Sequence, residues 1–237
     1  CEQNKDLVFL EPAYLIMKYD DRDDKVGMEA IGNACPEDKE QAIRLYGIFK
    51  DADALDRFRL GANGLDTRFL RKMKRLLLII DPQIDFINGT LPVPEAIPKM
   101  ERLAAYIKRT DGEYAAKAIT LDWHPYNHCS FRENGGEWPM HCVQNTTGAA
   151  ICPALVEPLY TTHGEVTVLR KGVRQDSEEY SIFRNEASSV HLDNLINGLH
   201  IDRIDLCGIA GDVCVLDTLK DGIKRYGTCM FHVLQEF

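Results

Sequence analysis

No run of residues in this 237-residue chain is apolar for long enough to span a bilayer as a helix. The first residues carry no signal-peptide pattern. A cytoplasmic location is the expectation, with a lipid anchor on Cys1 as the alternative. Basic residues are the minority among the charges: 28 Lys and Arg stand against 37 Asp and Glu, for a net charge of −9. That balance argues against nucleic acid or an anionic membrane surface as the main partner and leaves a small molecule. The eight cysteines form no CxxC pair and no regular framework. They read as reduced thiols, not as a disulfide scaffold. Internal repeats and low-complexity tracts are also missing. What is there is 45% hydrophobic and 27% charged, ordinary values for a soluble globular protein. The length allows one large α/β domain, or one domain with a small appendage.

Residues 1–70 differ from the rest. They hold an extended apolar piece, Leu7–Tyr19, an acidic patch at 20–24, and a helix expected from about Pro36 to Leu60, where Gly61 stops it. No chemical motif lies there, so an accessory segment is expected, packed on the main domain or serving a subunit interface. The turn at 61–66 and the basic run Arg68–Arg75 mark the boundary to a domain over 71–237. From residue 75 strands and helices alternate. The expected strands are Leu76–Ile80, Ala118–Leu121, Val166–Leu169, Ile204–Cys207 and Met230–Leu234. The expected helices run over about 95–110, 190–199 and 213–226. Near-continuous apolar strands separated by helices imply a three-layer α/β/α fold with a mainly parallel central sheet. Ligands bind at the carboxyl ends of such strands.

Those ends carry the chemistry. The first strand runs into Asp81, which fits a base, a turn cap, or the nucleophile of a phosphotransferase. The last role wants a second Asp two residues on, where Gln83 stands. The second strand runs into Asp122-Trp123-His124. Alternation puts Asp122 and His124 on one side, and with His141 they can supply three facial metal ligands. His128, Ser130, Glu133 or a water could complete the shell. The third strand ends at Lys171, either a solvated lysine or a cation for a thiolate or oxyanion. The fourth is followed by Gly208-Ile209-Ala210-Gly211. Asp212 sits where a helix N-cap belongs, and Cys214 falls in the first turn. Backbone N–H groups and the helix dipole there favour a thiolate and can hold an oxyanion. A buried packing cysteine is the alternative.

Four motifs in order carry a resemblance: DPQIDF at 81–86, DWHPYNHCSF at 122–131 with WPMHCVQNTTGA at 138–149, RKG at 170–172 with EYSIF at 179–183, and GIAGDVCV at 208–215. Over about residues 75–234 the chain resembles the isochorismatase-like cysteine hydrolases and, within them, the nicotinamidases. The resemblance implies Asp81, Lys171 and Cys214 as a catalytic triad. It implies Asp122, His124 and His141 as ligands of a divalent metal: zinc, with iron or manganese as alternatives. An oxyanion hole of the Ala210 and Cys214 N–H groups is implied, with a cis Ile209–Ala210 peptide. Phe86, Trp138 and Tyr180 match aromatic walls. The implied reaction is hydrolysis of nicotinamide to nicotinate and ammonia through a thioester. The alternatives are an amidase of carbamoyl or ureido substrates and a non-catalytic binding protein on the same fold. A homo-oligomer is expected. Departures are Gln144-Asn145-Thr146 in place of a Gln-Gly-Thr, Gly211 in place of a common Thr, and the segment 1–70.

Overall fold

The apolar run Leu76–Ile80 is the middle of the domain, and every one of its side chains is fully buried. It forms strand β1, Arg75–Ile80. Alternation along the strand sends Leu77 and Ile79 into one hydrophobic core, and Leu76, Leu78 and Ile80 into a second on the opposite face. Each such residue contributes roughly 1.5–3 kcal/mol relative to exposure. A strand apolar on both sides needs cover on both sides, so the sheet lies between two helical layers.

The computed structural model describes residues 73–237 and, before them, Glu29 alone. The apolar piece 7–19, the acidic patch and the helix expected over 36–60 lie outside the described residues. Met73–Phe237 is a unit by itself. After β1 come a short helix α1 (Ile84–Ile87), helix α2 (Ala96–Arg109), strand β2 (Tyr114–Asp122), helix α3 (Pro153–Thr161) and strand β3 (Glu165–Lys171). Helix α4 (Glu186–Leu199), strand β4 (Arg203–Gly208), a π-helical turn (Gly211–Val215), helix α5 (Leu216–Tyr226) and strand β5 (Phe231–Val233) complete it. The five strands are parallel in the order β3-β2-β1-β4-β5. The first core takes Met100, Leu103 and Ile107 of α2 with Leu155 and Leu159 of α3. The second takes Leu192 and Ile196 of α4 with Val215 at the start of α5. This is the expected three-layer fold. The strand order reverses between β1 and β4, so the crevice at their carboxyl ends is the switch point where ligands bind in such sheets. Among the described residues no helix is long and apolar enough to cross a membrane.

Several elements differ from the sequence reading. Helix α3 has no counterpart in it and carries two prolines, Pro153 and Pro158. Pro153 occupies the start of the helix, where proline costs nothing. At the other end Lys117 closes α3. It is buried within β2, and its ammonium donates to the carbonyls of Thr162 and His163, both at 3.0 Å, and to Thr162 Oγ1 at 2.7 Å. A lysine in that position hid the first half of β2. Helix α4 starts near Glu186, not near residue 190, because the Asn185 side chain accepts the Ser188 N–H at 3.0 Å and caps it. Asp212 caps nothing. The helix enters through the π turn with Ala210 at its N-cap position and no side-chain cap, and Asp212 is exposed.

Candidate active site

Lys171, the last residue of β3, extends a fully buried side chain across the carboxyl end of β2. Its ammonium lies 2.8 Å from Asp81 Oδ2, donates to Asp122 Oδ1, and lies 3.4 Å from Cys214 Sγ. Asp81, Asp122 and Cys214 each bring an atom within 4.8 Å of the others. Two strand ends and one helix start therefore converge on the cation at the end of a third strand. Asp81 stands at the β1 end with φ of 50°, in the left-handed region. Its Oδ1 accepts the Thr120 hydroxyl at 2.7 Å, and its N–H reaches Thr120 Oγ1 at 3.2 Å. Its Oδ2, beside Lys171, has no well-directed hydrogen bond and is buried.

Burial dominates the electrostatics. It pushes the Asp81 carboxyl above its ordinary value, and the neighbouring Asp122 charge adds to this, against the pull of Lys171. For Asp122 burial acts the same way, but Lys171 and His124 win and hold it below the ordinary range. The Lys171 ammonium is disfavoured by burial, yet Asp122, Asp81 and Cys214 together hold it firmly protonated. Burial also drives the Cys214 thiol well up, and Asp81 and Asp122 reinforce that against Lys171. The thiolate expected from the helix dipole alone is thus not the resting form. Cys214 is almost fully buried, and the dipole of one turn does not offset that desolvation.

The turn before Cys214 also differs from expectation. The Ile209–Ala210 peptide is trans, as are all peptides among the described residues. Ala210 turns the chain with φ 58° and ψ 60° instead. A left-handed alanine costs about 1–2 kcal/mol, less than a non-proline cis bond. Gly208 permits the approach, since a Cβ there would lie 2.2 Å from the Ile80 carbonyl oxygen.

Beside Asp81, Lys171 and Cys214, the residues Asp122, His124 and His141 place ligand atoms within 4.8 Å of one another, all buried. His124 Nδ1 lies 3.0 Å from the Gly172 carbonyl and His141 Nδ1 lies 2.7 Å from the Pro139 carbonyl. A carbonyl only accepts, so both Nδ1 atoms carry the proton and both Nε2 atoms offer a lone pair. His124 Nε2 is buried without a hydrogen-bond partner, 3.7 Å from Asp122 Oδ2. An orphaned imidazole nitrogen facing a carboxylate and a second imidazole fits a divalent cation. His128 and Ser130 are engaged with each other at 2.7 Å, and His128 Nε2 lies 3.1 Å from the Ser177 carbonyl. Glu133 is exposed. Trp138 Nε1 donates to the Tyr180 hydroxyl at 3.0 Å, while Phe86 is buried with its ring 5.5 Å from that of His141.

Sequence reasoning missed several contributors. Thr120 lies two residues before Asp122 on β2, a position visible only once β1 and β2 are paired. Glu178 groups with His124 and His128 within the same 4.8 Å span. Glu179 is buried and accepts the Gly172 N–H at 2.7 Å and the Asn185 amide at 2.9 Å, fixing the bend after Lys171. Gly172 itself has φ of 62°, and a Cβ there would lie 2.3 Å from His124 Cε1. Gly172→Ala is expected to displace the His124 ring and weaken divalent-metal binding by about tenfold or more. Metal content after dialysis checks this, and full retention would contradict it.

A family model described as Isochorismatase domain matches residues 75–230. The chain belongs to that family, and within it to the nicotinamidase-like amidohydrolases. The nicotinamidase of Acinetobacter baylyi is 30% identical over 185 residues, covering 68% of this chain and 82% of that one. The pyrazinamidase of Pyrococcus horikoshii, solved in complex with zinc, is 35% identical with a TM-score of 0.58, covering 69% of this chain and 84% of that one. PnC1 of L. infantum, solved with nicotinate, is 31% identical with a TM-score of 0.60, covering 70% and 81%.

Proposed function

We propose that this chain hydrolyses nicotinamide to nicotinate and ammonia through a thioester on Cys214. The observation that carries it is the buried Lys171 ammonium, which contacts Asp81, Asp122 and Cys214 together and so joins a nucleophile to a metal-ligand set. Relatives that are nicotinamidases, and one solved with nicotinate, support the substrate.

Asp81 Oδ2, buried and without a directed hydrogen bond, takes the Cys214 proton. Burial keeps the thiol neutral at rest, so the proton moves as the sulfur attacks the carboxamide carbon. Lys171 compensates the negative charge throughout. The resulting oxyanion rests on the Ala210 and Cys214 N–H groups. The Ala210 N–H donates to no backbone carbonyl among the described residues, and a donor of this kind is worth roughly 3–4 kcal/mol. Asp81 then passes its proton to the departing ammonia. It next takes one from the water that opens the thioester, which returns the acid and free Cys214. Trp138 and Tyr180, held together by their hydrogen bond, and Phe86 flank the flat ring. A divalent ion on Asp122, His124 and His141, zinc first and iron or manganese as alternatives, supplies a Lewis acid for the ring nitrogen when bound.

Asp81 must be ionised to accept the proton, and its carboxyl is raised by burial. The rate at low substrate is therefore expected to climb with pH through an apparent pKa above the ordinary carboxylate value of about 4. A profile already flat at pH about 4 would contradict this role. The substrate class is tested by measuring ammonia and acid product from nicotinamide and from an N-carbamoyl amine, with zinc, iron and manganese supplied in turn. Release from nicotinamide is the expected result. Release from the ureido substrate alone favours the carbamoyl amidase, and release from neither favours a binding protein.

A further inference from the structure

Two side chains that the triad does not use, Gln83 and Asp85, reach the backbone of the metal-ligand loops. Gln83 is fully buried. Its Oε1 accepts the Asp122 N–H at 2.7 Å, and its Nε2 donates to the Asp122 carbonyl at 2.7 Å and to the Ala149 carbonyl at 3.0 Å. β1 has turned away at Asp81, and the Gln83 amide stands in for its next peptide, grasping both polar groups of Asp122. Asp85 is nearly as buried. Its Oδ2 accepts the Cys142 N–H at 2.7 Å and its Oδ1 accepts the Thr90 N–H at 3.1 Å. The Cys142 N–H belongs to the peptide that joins His141 to Cys142. Cys142 is left-handed, with φ of 46°, so the bond from Asp85 secures a conformation this residue rarely adopts. The Cys142 carbonyl in turn accepts the His124 N–H at 3.0 Å. There is no slack around this carboxylate: a Cβ on Gly148 would lie 2.0 Å from Oδ2, and one on Gly89 2.4 Å from Oδ1.

We propose that Gln83 and Asp85 are positioning residues for the metal ligands, Gln83 setting Asp122 and Asp85 setting His141 and, through Cys142, His124. This rests on the reading that those three residues hold a divalent cation. The residue types follow from the chemistry. A primary amide carries a donor and an acceptor side by side, matching the N–H and C=O of one residue. A carboxylate carries two acceptors, matching two N–H groups. Isosteric changes remove one half of each: Gln83→Glu loses the donor, and Asp85→Asn loses one acceptor.

The experiment measures the zinc dissociation constant of the full chain by competition with a chromophoric chelator, together with the melting temperature. Gln83→Glu and Asp85→Asn are each expected to weaken zinc binding about 10–100-fold, the range for partners that orient metal ligands. Lys117→Met, toward the other end of β2, is the control. It is expected to lower the melting temperature and leave zinc affinity within about twofold of the parent. Folded Gln83→Glu and Asp85→Asn variants that keep the parent affinity would overturn the proposal, as would an equal loss in Lys117→Met. If either variant does not fold, Gln83→Asn or Asp85→Glu is read by the same criterion. A parent chain that binds no zinc overturns the metal reading itself, and so the two failures are told apart.

Discussion

Cys214→Ala is expected to lower the rate on nicotinamide by at least about 10⁴-fold while the protein stays folded, because members of a nucleophilic triad act as a unit. The sulfur lies 3.4 Å from the Lys171 ammonium, within reach of a hydrogen bond from it. Cys142 and Cys207 are buried with their thiols pushed up by desolvation; the Asp81, Asp85 and Asp122 charges push Cys142 further up against the pull of Lys171, while Lys171 does not act on Cys207. Cys214→Ser tests the chemistry more narrowly. It keeps the shape of the site, but a hydroxyl gives up its proton far less readily than a thiol, so near-complete loss is again expected. Steady-state ammonia release with a thermal melt on the same sample checks both variants. A residual rate within about tenfold of the parent in Cys214→Ala would remove the nucleophile from the account.

Lys171→Met is expected to damage both activity and stability. Methionine fills much of the same volume but leaves Asp81 and Asp122 facing each other without a cation. Removing one partner of a buried charged network costs about 3–5 kcal/mol. With the ammonium gone, the Asp81 carboxyl, already raised by burial, has lost the main influence that pulls it down. The sign follows from linkage. A carboxyl raised in the folded state holds its proton there and loses it in the unfolded chain. Its contribution is present at low pH and lost as pH climbs from the ordinary carboxylate value through the folded one. Lys171→Met should therefore lie closest to the parent in stability under acid conditions and fall further behind toward neutrality. Denaturant melts across pH measure this. A gap between parent and variant that shrinks with rising pH would contradict the assigned charges.

How much of this was legible in the sequence depended on whether each signal was local. Leu76–Ile80 could only be a strand buried on both faces, and the three layers follow from it. The strand-end residues Asp81, Asp122 and Lys171 were visible because ligands gather where parallel strands end. What joins them was not. Lys171 pairs with Asp122 in register and crosses β2 to reach Asp81, a fact of strand order. Helix α3, with its two prolines, had no counterpart in the sequence reading, and the first half of β2 was hidden by Lys117, whose partners are carbonyls far away in sequence. The state of Cys214 was half legible: the helix start argued for a thiolate, but desolvation, which needs the whole fold, outweighs it. The cis bond came from the resemblance alone, and the left-handed Ala210 replaces it. Gln83 and Asp85 stood in a quoted motif, yet their partners lie at residues 122, 149 and 142, beyond any periodicity.

The central claim is that a nicotinoyl thioester forms on Cys214. Hydroxylamine added to the zinc-loaded protein turning over nicotinamide tests it most directly, because the thioester partitions between water and the stronger nucleophile. The account predicts nicotinohydroxamate appearing at the expense of nicotinate, with ammonia release undiminished, and neither product in Cys214→Ala. Nicotinate and ammonia formed in equal amounts with no hydroxamate at any hydroxylamine concentration would contradict it.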